Sequence, residues 1–218
     1  GLGVVSSIGI GKEDFWAHLK EGRSGISPVS SFDTSRHQTH NAGEIKNFSL
    51  ASIVGRKPIR AFGRCSELSL GAVELALNDA RISAKDLNRE SVGVFLGTTL
   101  GEVSSLEQSD REYLKNGIAG LNPVILCQYP AMNIVEIILD FYALRGPARI
   151  FTTACAAGNY AIGAGYDLIR QNEAEVVLAG GADPFSYIAF TGFNQLRSYA
   201  PEKCQPFDKN RKGILLGE

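Results

Sequence analysis

Cys155 is the residue of this chain best placed to do chemistry. It sits in Ile150-Phe-Thr-Thr-Ala-Cys155-Ala-Ala-Gly-Asn-Tyr160, where an apolar run ends in small residues and a helical pattern begins. The run from Ala148 to Thr153 is β-branched and aromatic and reads as a buried strand. From Asn159 to Arg170, apolar residues at Tyr160, Ile162, Ala164, Tyr166, Leu168 and Ile169 read as a helix, with Arg170 near its end. Ala154, Ala156, Ala157 and Gly158 are small enough for a tight strand-to-helix turn with the thiol at its tip, a geometry that presents nucleophiles in other enzymes. A helix N-terminus carries positive partial charge and free N–H groups, which favour a thiolate over a thiol. The alternative is a small buried hydrophobe, since free cysteine is among the most buried residue types. The turn alone leaves both open.

Other chemistries find less support. Cys65, Cys127, Cys155 and Cys204 are widely and irregularly spaced, with no Cys-x-x-Cys pair, which argues against a zinc or redox-dithiol site. In a chain of 218 residues that is not cysteine-rich, this points to free thiols in a reducing cytoplasm. The histidines, His18, His37 and His40, all lie far upstream of Cys155 and read as surface or core polar residues. Gly1-Leu-Gly lacks the third glycine of a dinucleotide fingerprint, since Ser6 stands there, and Gly11-Lys12 is followed by Glu13 and not by Ser or Thr. Gly180-Gly-Ala-Asp183 reads as a tight turn at a strand end. The net charge of −1 gives no electrostatic case for nucleic acid or a membrane surface, and no apolar run approaches the ~20 residues of a membrane helix. Arg56, Lys57, Arg60 and Arg64 form a local basic cluster, either a solvated face or a docking patch.

The elements that must position Cys155 alternate between helix and strand, which argues an α/β architecture. With 44% hydrophobic and 21% charged residues, the chain has ordinary globular composition and length for a sizeable core. Asp14 to Lys20 reads as an amphipathic helix with Phe15, Trp16 and Leu19 on one face. Residues 22–60, rich in Gly, Ser and polar groups, read as an excursion over the surface. Leu68 to Ala80 is a strong helix with Leu68, Ala72, Leu75, Ala76 and Ala80 at helical spacing. Val92 to Gly97 is a short buried strand, and residues around Ser104 to Leu114 are helical. Pro130 suits the first turn of a helix that carries Met132, Val135, Ile138, Leu139 and Tyr142 toward a core. Val176 to Gly181 is another buried strand. Continuous apolar strands joined by helices imply a largely parallel sheet covered on both faces.

Leu144-Arg-Gly-Pro147, Thr153-Ala-Cys-Ala-Ala-Gly158, Leu168-Ile-Arg170 and Leu178-Ala-Gly-Gly-Ala-Asp183 together resemble the β-ketoacyl-[acyl-carrier-protein] synthases, in order along essentially the whole chain. Gly192-Phe, Leu196-Arg, Pro206-Phe-Asp-Lys209, the closing Leu216-Gly-Glu218 and the opening Gly1-Leu-Gly-Val-Val-Ser-Ser-Ile-Gly9 continue it. Asp183 stands where the family more commonly has Glu.

The resemblance implies a thiolase-like fold, residues 1–218 being the N-terminal half of a duplicated α/β/α/β/α architecture. It implies that Cys155 accepts an acyl group from a carrier-protein thioester, which is then condensed with a malonyl unit with loss of carbon dioxide. Leu100 is then expected at the floor of the acyl pocket and Phe193 in its wall. Lys57, Arg60 and Arg64 are expected to dock the acidic acyl carrier protein, where complementary charge would mainly raise the on-rate. A homodimer is expected, and neither cofactor nor metal. The family begins with a buried strand that is missing or a stub here. After Leu-Gly-Glu it continues for about as many residues again, with two catalytic histidines, a lysine and a phenylalanine-bearing glycine loop. The 218-residue chain is therefore expected to be incomplete and inactive in condensation by itself. A coenzyme A-dependent thiolase shares the fold, but the Leu-Arg-Gly-Pro and Pro-Phe-Asp-Lys blocks look like the carrier-protein enzymes. A non-catalytic chain-length-factor-like subunit typically replaces the cysteine that is kept here.

Overall fold

The computed structural model describes residues 1–56, 61–83 and 85–218. In chain order the elements are β1 (Val5–Ser6), β2 (Gly9–Ile10), α1 (Lys12–Lys20), β3 (Ser27–Pro28), β4 (Asn41–Ala42), α2 (Leu50–Val54), α3 (Arg64–Ala80), β5 (Val92–Gly97), α4 (Val103–Asn116), α5 (Pro123–Leu126), α6 (Met132–Tyr142), β6 (Ala148–Phe151), α7 (Ala157–Arg170), β7 (Val176–Gly181) and α8 (Tyr187–Gln195). They form two compact units: Gly1–Gly3 with Ser49–Pro184, and Val4–Phe48 with Phe185–Glu218.

The first unit is built on a parallel sheet in the order β6-β5-β7. β5 is buried at every residue, as an apolar strand covered on both faces must be. The period of two divides its side chains between the faces. Gly93 and Gly97 meet α7, so Val92, Val94 and Leu96 face the opposite layer. That layer is α6, packed on β5, β6 and α3. α6 buries Ile134, Val135, Ile137, Ile138 and Tyr142. Val135, Ile138 and Tyr142 match the expected face, whereas Met132 and Leu139 are only half-buried. The Tyr142 hydroxyl donates to Glu74 Oε2 at 2.6 Å, tying α6 to α3. In α3 the most buried line runs through Ser66, Leu70, Val73 and Leu77. Of the expected stripe only Leu68 is buried, and Ala72, Leu75, Ala76 and Ala80 are half-exposed. Both lines obey helical spacing, and the packing partner selects between them.

In the second unit the core is aromatic: Phe185, Phe190, Tyr199 and Ala42 are buried, with Phe32, Phe193 and Leu216 packed on them. The expected surface excursion over residues 22–60 is corrected here. β3 pairs antiparallel with β4, and Thr39, Ala42, Glu44 and Ile45 are buried. Within it the Glu44 carboxylate accepts from the backbone N–H groups of Ser30 at 2.7 Å and Ser31 at 3.1 Å. α1 also departs from expectation. It buries no residue, and Trp16 and Leu19 are exposed.

Candidate functional site

β6 ends at Phe151, two residues step out of the sheet, and Ala154–Ala156 make one 3-10 turn before α7 begins at Ala157. Cys155 is the middle residue of that turn and is exposed. Ala154 before it takes φ 52°, a left-handed conformation that costs a non-glycine residue about 1–2 kcal/mol. The strand, sharp turn and helix expected around the thiol are all present, but the strand ends at Phe151 and is only half-buried, not buried as expected, and the helix starts two residues earlier.

Glycines set the height of the turn. A Cβ on Gly97, the last residue of β5, would fall 2.2 Å from the Ala157 carbonyl carbon and 2.5 Å from Gly158 N. The first turn of α7 therefore rests directly on the strand end, where no side chain fits. Farther along, α7 buries Ala157, Ala161 and Gly165, and a Cβ on Gly165 would come within 2.9 Å of Val177 Cγ1. The large residues Tyr160, Ile162, Tyr166 and Ile169 are exposed. The expected apolar helix is correct, but its sheet-facing side is the small one.

The three strands run parallel, so their carboxyl ends lie together, which is where open α/β sheets bind ligands. Thr98 N donates to Phe151 O at 2.9 Å, and Ala182 N to Gly97 O at 3.0 Å, so the chain leaves all three strands at one level. Cys155 follows β6, Leu100 follows β5 and Asp183 follows β7. Asp183 Oδ1 accepts from Thr98 Oγ1 at 2.9 Å, Thr99 N at 2.7 Å and Leu100 N at 3.1 Å. The expected tight turn at Gly180–Asp183 is corrected: Gly180 and Gly181 continue β7, and Asp183 braces the neighbouring strand exit.

Beneath this level Glu102 is fully buried and accepts from Cys65 N at 3.1 Å and Ser66 N at 2.7 Å, satisfying two of the otherwise unpaired N–H groups at the start of α3. Burial raises its pKa, against the pull of these hydrogen bonds. Cys65 is buried, and burial, reinforced by the carboxylates of Glu102 and Asp183, drives its thiol far above the usual cysteine range. That makes it unreactive. Cys127 and Cys204 are exposed but lie outside any strand-to-helix turn. A cavity of about 510 Å3 beside α5 and α6 is lined by Phe62, Val124, Cys127 and Glu136, and Cys155 is not among its walls.

Leu100 is 36% exposed and follows the strand adjacent to the one before Cys155, so both segments leave the sheet at the same end. Phe193 belongs to the second unit, half-buried against its aromatic core. Arg64 opens α3, half-buried, with its charge near Glu67. Lys57 and Arg60 lie outside the described residues. The neighbouring Arg56 is engaged: it donates to Phe141 O at 3.4 Å and stacks on the Phe141 ring. His37 meets Thr191 Oγ1 at 2.9 Å, His40 meets Thr34 Oγ1 at 3.1 Å, and His18 is bonded to the Ile8 carbonyl, all within the second unit. Two site features escaped the sequence: the Asp183 brace and the buried Glu102. A carboxylate just past one strand and a Thr-Thr pair just past another were the available signal.

The chain is similar to known proteins. The 3-oxoacyl-[acyl-carrier-protein] synthase 2 of Synechocystis sp. is 32% identical, aligned over 100% of this chain and 54% of its own length. The solved ishigamide ketosynthase/chain length factor superposes with TM-score 0.94 at 34% identity, covering 99% of this chain and 54% of that one. A β-ketoacyl synthase from Burkholderia phymatum STM815 superposes with TM-score 0.85 at 28% identity, covering 100% of this chain and 55% of that one. The chain thus spans about half the length of the curated relatives it matches. The fold is that of the ketosynthases, a thiolase-like α/β fold. The family model for the N-terminal domain of β-ketoacyl synthases matches residues 1–218, and the chain belongs to that family.

Proposed function

We propose that this protein is a 3-oxoacyl-[acyl-carrier-protein] synthase whose acyl acceptor is Cys155. The observation that carries the reading is the exposed thiol at the head of α7, in a chain of this family. In the acylation step Cys155 Sγ attacks the thioester carbonyl of an acyl carrier protein. The new C–S bond forms, the old one breaks, and the carrier thiol leaves with the proton. The Cys155 backbone N–H serves as one oxyanion donor. The enzyme at its native length then condenses the acyl group with a malonyl unit as carbon dioxide leaves. None of the three histidines of this chain matches a catalytic position of the family, and each is hydrogen-bonded within the second unit. The 218-residue chain alone is therefore expected to give no condensation product, whereas the protein at native length gives one that Cys155→Ala abolishes.

The test of the nucleophile is to incubate the protein with an acyl-carrier thioester, or with iodoacetamide, and map adducts by mass spectrometry. Cys155 is expected to carry the label. Label on Cys127 or Cys204 with Cys155 untouched would sink the assignment and favour a chain-length-factor-like role, the second kind of subunit named for one solved relative.

The reading also covers partners. Carrier protein docks on Lys57, Arg60 and Arg64. Reversing Lys57 and Arg60 to Glu slows transfer from carrier protein but not from a small thioester, and the wild-type rate falls with salt, as exposed charges screened over ~8–10 Å require. Equal loss with both substrates points to misfolding. The protein pairs with a second copy through β6, an edge strand of the sheet whose pairing here is with β5 alone among the described residues. Sedimentation as a monomer at micromolar concentration counts against this. We assign the protein to the cytoplasm, where free thiols persist; among the described residues no helix is long and apolar enough to cross a membrane.

A further inference from the structure

We propose that Asp183 is a positioning residue that sets acyl-length specificity: its carboxylate fastens the Thr98–Gly101 turn and thereby fixes where Leu100 stands beside Cys155. This rests on the ketosynthase reading above.

The turn leaves the central strand of the sheet and is shaped by side chains. Thr99 N and Leu100 N donate to Asp183 Oδ1, and Gly101 N donates to Thr98 Oγ1 at 2.9 Å. The same hydroxyl donates to Asp183 Oδ1, so a single carboxylate oxygen ties the turn together. Thr98 is itself buried, with its hydroxyl 4.0 Å from Cys65 Sγ, so the anchor is seated in the core. Gly101 takes φ 58° and sits against Ala131 and Ile134, which fixes the far end of the turn on α6. Leu100, between these two fixed ends, stays accessible. β5 lies between β6 and β7, so the turn is flanked by the segment bearing Cys155 on one side and by Asp183 on the other.

The experiment uses the protein at native length, offered acyl-carrier primers of graded length in competition, with acylation read by mass spectrometry on the Cys155 peptide. Wild type is expected to show a length optimum. Asp183→Ala frees Leu100 to move and flattens it: for two primers that differ by two methylenes, the preference falls about fifteenfold, since each buried methylene is worth about fourfold. Asp183→Asn keeps Oδ1 as acceptor and holds the wild-type profile within about twofold. Amide hydrogen exchange at Thr99 and Leu100 accelerates in Asp183→Ala and not in Asp183→Asn. Thr98→Val, which removes the shared hydroxyl from the other side, flattens the profile as well and decides the matter if Asp183→Ala fails to fold. An equal rate loss at every length, in Asp183→Ala or Thr98→Val, makes the brace merely structural; it overturns this proposal and leaves the ketosynthase reading standing. A wild-type protein that never acylates Cys155 overturns both.

Discussion

The two faces of the central sheet are covered in opposite ways. On one face α6 buries Ile134, Val135, Ile137 and Ile138, backed by Leu70, Val73 and Leu77 of α3. On the other, α7 buries Ala157, Ala161 and Gly165 and turns Tyr160, Ile162, Tyr166 and Ile169 outward. The first face is an ordinary core, where large aliphatic side chains keep helix and strand apart and supply most of the stabilisation. The second brings backbone close to backbone, with Phe95 of β5 the large side chain buried on the same face as Gly93 and Gly97. The helix that presents Cys155 is thus located by the absence of side chains at Gly97 and Gly165. That is a positional constraint more than a stabilising one, and it separates where the molecule is stable from where it is exact about geometry.

The largest effect is expected on the aliphatic face. Ile138→Ala should cost about 2–5 kcal/mol in urea or thermal unfolding, as a fully buried residue whose cavity α3 cannot fill. The rate of Cys155 alkylation in the native protein should change less than about twofold, since the turn is held from the other side; a larger change would mean that the two faces are mechanically coupled.

Gly97→Ala tests the opposite face. The added methyl meets backbone atoms, so α7 must lift, at a cost of about 1–3 kcal/mol. Acylation of Cys155 should fall as well, by at least about tenfold, the value of one 1.4 kcal/mol disturbance at the reacting group. An alanine accepted with neither loss would remove the claim that α7 is seated on β5.

A smaller and pH-dependent effect separates the layers electrostatically. Glu102 caps α3 from a buried position, and burial raises its pKa above the ordinary 4.5. The folded protein therefore keeps this proton at pH values where the unfolded chain has released it. The Glu102 contribution to stability is fully present below the unfolded value and is lost as pH rises through the folded one. Unfolding free energy measured across that interval should fall with pH more steeply in wild type than in Glu102→Gln; equal slopes would mean that Glu102 titrates normally.

The smallest effect is expected on the outer side of α7. In the 218-residue chain Ile162→Thr and Tyr166→Ser should each change stability by less than about 0.5 kcal/mol, because both residues are exposed. A cost of several times that would show that these residues are covered in solution.

The nucleophile turn was legible because every part of it is local: a β-branched run, four small residues and a helical repeat within a stretch of chain shorter than 25 residues. The parallel sheet was legible for a similar reason, since β5 is apolar at all positions and buried throughout, although β6 and β7, read as buried too, are only half-buried. The orientation of helices was not. In α3 and α7 two lines of residues share the helical period, and only the partner surface chooses between Leu70, Val73, Leu77 and the alanine line, or between Ala161, Gly165 and the aromatic line. The segment 22–60 was misread because Ser and Gly also serve buried carboxylates such as Glu44, and composition does not distinguish that use from solvation.

Sequence by itself determined the family, the strand–turn–helix that carries Cys155, and the candidacy of that thiol over three others. Tertiary structure decided which cysteine is silenced by burial, which face of α7 meets the sheet, and that Asp183 closes on Thr98 across 85 positions of chain. The division follows the range of the interactions. A turn is specified by neighbours within a few bonds, whereas a brace between strand exits exists only after parallel pairing has brought those ends to one level, and pairing register is a property of the folded sheet.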